Sequence, residues 1–475
     1  MARGYALGRG AGYAAWIRTI TVTTSPAFEE IPTHPVDTRL RRIVTSLPVP
    51  ETRSLLETSA RVEPRSMGGQ PPVAWDRAEG FSVFDAYGNK WIDFSSGVLV
   101  ANAGHGRREI QDAIITQAQH GLLHNYCFPS HHRIDLARRL TELAPEPLKK
   151  AFLISTGSEA TECAVKLMRT HGRQVTDDKT VIVSFSNAFH GRTMGAQMIG
   201  GIPLLKEWIG YMDPGMVQVP FPDGFRCQDT SFAVFEESLA KMAIDPRRVA
   251  GVITETYQGG GASFAPPEYI AKLREWCDQW NVLLTFDEVQ AAFGRCGRQW
   301  GFEHYGVMPD LMCLGKGISS CLPVAAVVGR PDVMDLFPPG SMTSTHTGNP
   351  ICCAAALANI ELILKEHLIE KAACTGEVLH EALWKQLKPF DARIGAIHGK
   401  GLVAGVHVIK DDSLAPDRDL AHKVVWNAVG RGLMLFSPVG VGGATIKICP
   451  PLCITEEAII EGVSAIADAF KDCLS

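Results

Sequence analysis

The chain has 475 residues, of which 46% are hydrophobic and 20% charged, with a formal net charge of −5 at pH 7. That length suits one large core or two to three domains, and the near-neutral balance gives no basis for binding nucleic acid or an acidic membrane surface. Apolar runs stay well below the roughly 18 residues of a spanning helix, and the 13 cysteines are scattered without a CxxC pair. Reduced thiols are therefore expected in place of a disulfide framework or a zinc site, and no metal is expected.

The first 25 residues carry Arg3, Arg9 and Arg18, and no acid precedes Glu29. Such a composition suits an organellar transit peptide, and equally a disordered extension or an upstream start codon. Residues 1–36 are therefore set aside as an extension. A cytoplasmic enzyme is expected, or a mitochondrial-matrix one if the first 25 residues are a targeting peptide.

Residues 37–104 read as an N-terminal segment that joins a small domain. Pro48 and Pro50 limit Glu51–Ala60 to a short helix, and Pro71–Asp93 alternates like strand and turn. From about residue 105 to 350 the pattern becomes helix, strand, helix, strand. Short β-branched runs at Thr180–Phe185, Ala250–Thr254 and Val282–Phe286 are separated by helical stretches such as Ser158–Arg169 and Pro267–Trp280. This alternation predicts an α/β fold with a large, mostly parallel sheet covered by helices on both faces. An Ala-rich helix at Cys352–Lys365 then leads into a smaller unit over 351–475, with strands at Gly401–Ile409 and Thr445–Ile448.

Polar clusters fall where the strands end. Phe152–Ile154 runs into Ser155-Thr156-Gly157-Ser158, and Thr180–Phe185 into Asn187–Arg192. Ala250–Thr254 ends at Glu255, Val282–Phe286 at Asp287, and Leu311–Leu314 at Gly315-Lys316. Open α/β sheets bind ligands beyond the carboxyl ends of their strands, so five clusters converge on one predicted site.

Three of these clusters suggest chemistry. A strand, a small-residue turn and a helix starting near Ser158 make an anion site from free N–H groups, or simply a capped helix. Asp287 follows a fully apolar strand and needs a cationic partner. Either a structural salt bridge or the protonated ring nitrogen of bound pyridoxal 5′-phosphate (PLP) meets that need. Lys316 sits between Gly315 and Gly317, and desolvation there favours the free amine that attacks a carbonyl; a solvent-exposed turn lysine is the simpler alternative.

Over residues 65 to 470 the sequence resembles the class III (ornithine/4-aminobutyrate type) aminotransferases. The likeness is densest in DEVQAAFGRCGRQWGFEHYGVMPDLMCLGKGISSCLP, from Asp287 to Pro323, and recurs in STGSEATECAVKL, NAFHGRT, THTGNPICCAAALA and IKICPPLCIT. The resemblance implies a type I PLP-dependent transferase fold, with the smaller α+β domain built from both chain ends. It makes Lys316 the Schiff-base lysine and Asp287 the partner of the pyridine nitrogen. Gln290 matches the residue near the ring hydroxyl, Phe189 would stack on the ring, and Gly157 and Ser158 would hold the phosphate. Thr345 would reach the phosphate of the neighbouring subunit's cofactor, implying a homodimer or dimer of dimers with shared sites. His190, Glu255, Arg295 and Asn349 recur in the family blocks, with His190 and Glu255 expected beside the cofactor.

The implied reaction is ping-pong transfer of an amino group from a 4-aminobutyrate-like ω-amino acid to a 2-oxo acid, such as 2-oxoglutarate or pyruvate. The chain departs from the family at one pair. Many members that use ω-amino acids have Glu-Pro-x-Gln-Gly-Glu and a later Arg that pairs with its second acid; here Gly260 replaces that acid and Lys447 the Arg. Lys447 is expected to meet a substrate carboxylate as a point charge, with Arg192 reading the distal carboxylate and Tyr126 and Val100 lining the substrate side. Rival readings are decarboxylating transamination, racemisation or epimerisation, an amino-group shift (which Gln290 counts against) and a non-catalytic module (which Lys316 and Asp287 count against).

Overall fold

A computed structural model describes residues 28–411 and 413–475. The expected targeting or disordered extension lies outside these residues up to position 27, but its last stretch is part of the fold. Ile31 is buried against the small unit and bridges Leu47, and Val36 pairs with Ile43. The extension therefore does not reach residue 36.

The β-branched runs form a seven-stranded sheet. Its strands in chain order are β1 (Lys150–Ile154), β2 (Val181–Phe185), β3 (Met216–Val219), β4 (Val249–Glu255), β5 (Leu283–Asp287), β6 (Leu311–Leu314) and β7 (Ala325–Gly329). Their spatial order is β1-β7-β6-β5-β4-β2-β3. Pairing is parallel except at β7, which runs antiparallel to both β6 and β1. Side chains alternate between the two faces. Val183, Val252, Leu284 and Met312 join one core, while Ile182, Ile253, Leu283 and Leu311 join another beneath α1 (Gly157–Val175). Both faces are thus covered, which is why these strands read as unbroken apolar runs.

The chain ends come together beside this layer. The N-terminal strands Ser82–Phe84 and Lys90–Asp93 pair with each other, and Leu433–Met434 adds parallel to Lys90–Asp93. A three-stranded antiparallel sheet of β8 (Ile394–Lys400), β9 (Val403–Val408) and β10 (Thr445–Ile448) packs under α2 (Leu368–Leu387) and α3 (Arg418–Val429). Among the described residues no helix is long and apolar enough to cross a membrane.

Candidate active site

Strand register builds the site. Asp287 ends β5 directly opposite Glu255, the last residue of β4, and on its other side lies Cys313 of β6, three residues before Lys316. These ends open on a cavity of about 140 Å³ lined by Gly157, Ser158, Phe189, His190, Glu255, Asp287, Gln290 and Lys316, together with Gly191, Tyr257, Val289 and Ala291. Eight residues expected at the cofactor from five separate segments therefore share one enclosure.

Asp287 is buried, and its Oδ2 accepts a hydrogen bond from His190 Nδ1 at 2.8 Å while Oδ1 accepts from Val289 N at 3.1 Å. Each oxygen keeps spare acceptor capacity. Burial opposes charge on His190, but the hydrogen bond and charge of Asp287 outweigh it and raise the imidazole pKa. The other ring nitrogen, Nε2, is buried without a partner among the described residues. Glu255 accepts from Phe189 N at 3.0 Å and Gly259 N at 2.9 Å, which fixes the loop carrying Phe189; burial raises its carboxyl pKa, with His190 pulling against that. Burial lowers the Lys316 amine pKa while Asp287 and Glu255 oppose it, and Lys316 has a left-handed φ of +43°. A non-glycine residue in that conformation is strained at a cost of order 1–3 kcal/mol.

One end of the cavity is formed by the start of α1. Thr156 caps it, its side chain accepting from Glu159 N, while the Glu159 carboxylate returns to Ser155 N and Thr156 N. The helix starts at Gly157, one residue earlier than expected. Among the described residues the N–H groups of Gly157 and Ser158 have no acceptor, and the helix end adds its positive dipole. A Cβ on Gly157 would sit 2.9 Å from Val289, and one on Gly191 would sit 2.3 Å from Ser158 Oγ. An anion cradle at one end, a carboxylate with spare lone pairs at the other and a buried amine between them fit PLP.

One residue beyond Asp287, Glu288 is fully buried. It accepts from Thr256 Oγ1, from Phe302 N at 2.9 Å and from Gly301 N at 2.6 Å, and burial still pushes its pKa up to about 7.

Other expected residues lie elsewhere. Arg192 is exposed at the rim with its guanidinium 5.5 Å from the Phe189 ring centroid, and among the described residues no carboxylate pairs with it. Thr345 is exposed and outside the cavity; Tyr126 is likewise outside, its hydroxyl 3.2 Å from Thr343 Oγ1. Val100 is half-buried and follows four successive left-handed residues, Ser96 to Leu99. Arg295 pins this turn, donating to Ser96 Oγ at 3.3 Å and to Asn102 Oδ1 at 2.8 Å, and also reaches Leu402 O at 2.9 Å. Asn349 caps the helix Pro350–Lys365. Both are therefore packing residues here.

Lys447 corrects an expectation. It is 2% exposed and does not line the cavity. Its ammonium already donates to Gly259 O and, at 2.6 Å, to Gln290 Oε1, so it stands behind the wall that a substrate carboxylate would meet. Val289, Tyr257, Gly191 and Ala291 were not singled out from sequence. For Val289 a signal existed, since it lies two residues past Asp287 within the matched block.

The sequence model of the class III aminotransferases matches residues 65–470. The chain is 31% identical over 447 residues to the 4-aminobutyrate aminotransferase of Mycobacterium leprae, covering 91% of this chain and 98% of that one. It is 32% identical to the 5-aminovalerate aminotransferase of Pseudomonas putida, covering 88% and 98%. A solved PLP-bound amine transaminase from an uncultivated Pseudomonas species superposes with a TM-score of 0.78 at 28% identity, covering 87% and 97%.

Proposed function

The chain belongs to the class III aminotransferases, and we propose that its amino donor is an ω-amino acid of the 4-aminobutyrate or 5-aminovalerate kind. Membership makes it a PLP-dependent aminotransferase whose substrates are an amino donor and a 2-oxo acid. What supports the donor class is Arg192, an exposed guanidinium with no internal anion, at the rim of a cavity whose floor is the cofactor site. A distal carboxylate can take both arms of that fork. Relatives of similar length and identity act on 4-aminobutyrate and 5-aminovalerate, which agrees with it.

Bound PLP supplies an electron sink for the carbon next to the amine. The roles of the chain's residues follow from their surroundings. Gly157 N and Ser158 N would hold the phosphate, the Phe189 ring would cover the pyridine, and Gln290 would donate toward the ring oxygen. Asp287, braced by His190, would pair with the ring nitrogen and favour its protonated form. Lys316 would carry the cofactor between turnovers. Its amine, whose pKa burial lowers, would be the group that takes the proton from the substrate carbon and returns it.

The same reading extends to assembly and compartment. Thr345 completes the site of a neighbouring subunit; in support, it is exposed on the surface that carries Tyr126, Leu123 and Phe128, the last 75% exposed. In that assembly Tyr126 and Val100 border the partner's substrate side. The unit over 105–350 carries the cofactor, the two chain ends form the smaller one, and the enzyme works in the cytoplasm.

The test is Arg192→Ala in single-turnover mixing with 4-aminobutyrate and with an amine of similar length lacking a carboxylate. The KM for 4-aminobutyrate should rise about 10- to 100-fold, the scale of a lost charge-assisted hydrogen-bond pair, and that for the plain amine should hardly change. Equal losses for both donors would assign Arg192 to the fold and remove the ω-amino acid reading. Inversion of an L-amino acid without consumption of a 2-oxo acid would favour a racemase instead.

A further inference from the structure

The site contains a buried cation with no acid. Lys447 lies on β10 opposite Gly405, and among the described residues no carboxylate comes within ion-pair distance of it. The position of the missing acid is closed to any side chain: a Cβ on Gly260 would lie 2.9 Å from Gly440 Cα and 3.3 Å from Gly440 N. The groups that face the ammonium are Gly259 O, Gln290 Oε1 and the Tyr257 ring, 5.2 Å away, with the charges of Glu255, Lys316, Arg295 and the Cys449 thiol around them.

Gln290 is the one of these that both touches the ammonium and lines the cavity. An ammonium has only donors, so the atom 2.6 Å from it must be the amide oxygen. A flipped amide would set N–H against N–H. The Gln290 backbone is held as well, its carbonyl accepting from Tyr257 Oη at 3.2 Å. The end of the amide left for the cavity is therefore its NH₂, polarised by the ammonium at its other end, whose pKa burial lowers to about 8.

We infer that Lys447 is a positioning residue for transamination: through Gln290 it fixes a donor toward the cofactor's ring oxygen and brings positive charge to bear there. The inference rests on the cofactor placement proposed above. It replaces a cation that meets the substrate with one that acts on the cofactor through Gln290.

The readout is the pH midpoint of the bound cofactor's near-visible absorbance in the resting holoenzyme, with no substrate present. A neighbouring cation lowers the midpoint of a group that loses a proton. Lys447→Met should therefore raise it by about one pH unit, Lys447→Arg should hold it near the wild-type value, and Lys447→Gln, a neutral donor, serves if the methionine variant does not fold. In a Gln290→Met background the Lys447→Met effect should fall to less than half. An unchanged midpoint in Lys447→Met and Lys447→Gln would overturn the inference, as would a full effect without Gln290. Failure of the broader reading looks different: the near-visible band would titrate as in wild type after Lys316→Ala, and this inference would go with it.

Discussion

Glu288→Gln probes the wall behind the site, and its effect can be worked from three hydrogen bonds. In the wild type both carboxylate oxygens accept, from Thr256 Oγ1 and Phe302 N on one side and Gly301 N on the other. Burial nonetheless raises the pKa from 4.5 to about 7. At about 1.4 kcal/mol per tenfold step in acidity, ionising Glu288 costs the folded state about 3 kcal/mol. The folded pKa is the higher one, so this stability is present below about pH 4.5 and lost as pH rises through 7. Glu255, also raised, adds to the wild-type slope in the same direction. A glutamine never ionises, but its NH₂ must face either Gly301 N or Phe302 N, a fixed cost of about 1–3 kcal/mol. Urea unfolding of the holoenzyme at one protein concentration, at pH 5, 6.5 and 8, should then show the variant less stable at pH 5 and the gap closing or reversing by pH 8. A gap that stays constant from pH 5 to 8 would refute the argument.

Three further outcomes follow from the site. Lys316→Ala should bind PLP without borohydride fixing it to the chain, and turnover should fall by several orders of magnitude, read by mass spectrometry and steady-state rates. Asp287→Asn should fold yet lose at least about 100-fold in activity, because the ring nitrogen loses its counter-charge and His190 loses the partner that raises its pKa; wild-type rates would make Asp287 structural. The protein should sediment as a dimer or larger, and Thr345→Ala should weaken PLP binding by about 1–2 kcal/mol by fluorescence titration; a fully active monomer would contradict the shared site.

The strand ends were legible because each apolar run stops at a polar residue with nothing else to do. Asp287, Glu255 and Lys316 stood out for that reason, and register then set them side by side. The antiparallel β7 was not legible, since Ala325–Gly329 has the same composition as its parallel neighbours. Its direction is decided by the link from Leu314 to Ala325, too short for the crossover of a dozen or more residues that a parallel return needs. Nor does sequence mark the left-handed turn at Ser96–Leu99, where glycine occupies only one of the positions with positive φ. That turn is held from outside by Arg295, a contact about two hundred residues distant that periodicity cannot carry. Lys447 was misjudged for a related reason. The family resemblance placed it at the site, but whether it faces substrate or the back of Gln290 depends on the Gly259 carbonyl.

The contact between Gly260 and Gly440 makes the order of substitutions matter. A Cβ on Gly440 would lie 2.7 Å from Gly260 O and 2.5 Å from Thr445 Oγ1, so neither glycine can gain a side chain while the other's backbone stays where it is. Restoring the absent glutamate by a single change at 260 therefore passes through a misfit, whatever its later benefit. An accessible route first withdraws the Ser437–Ala444 loop, then admits the acid, and only then exchanges Lys447 for arginine. Engineering that swaps the acid and the cation as an isolated pair would stall at its first step; libraries that vary the loop together with both positions would not.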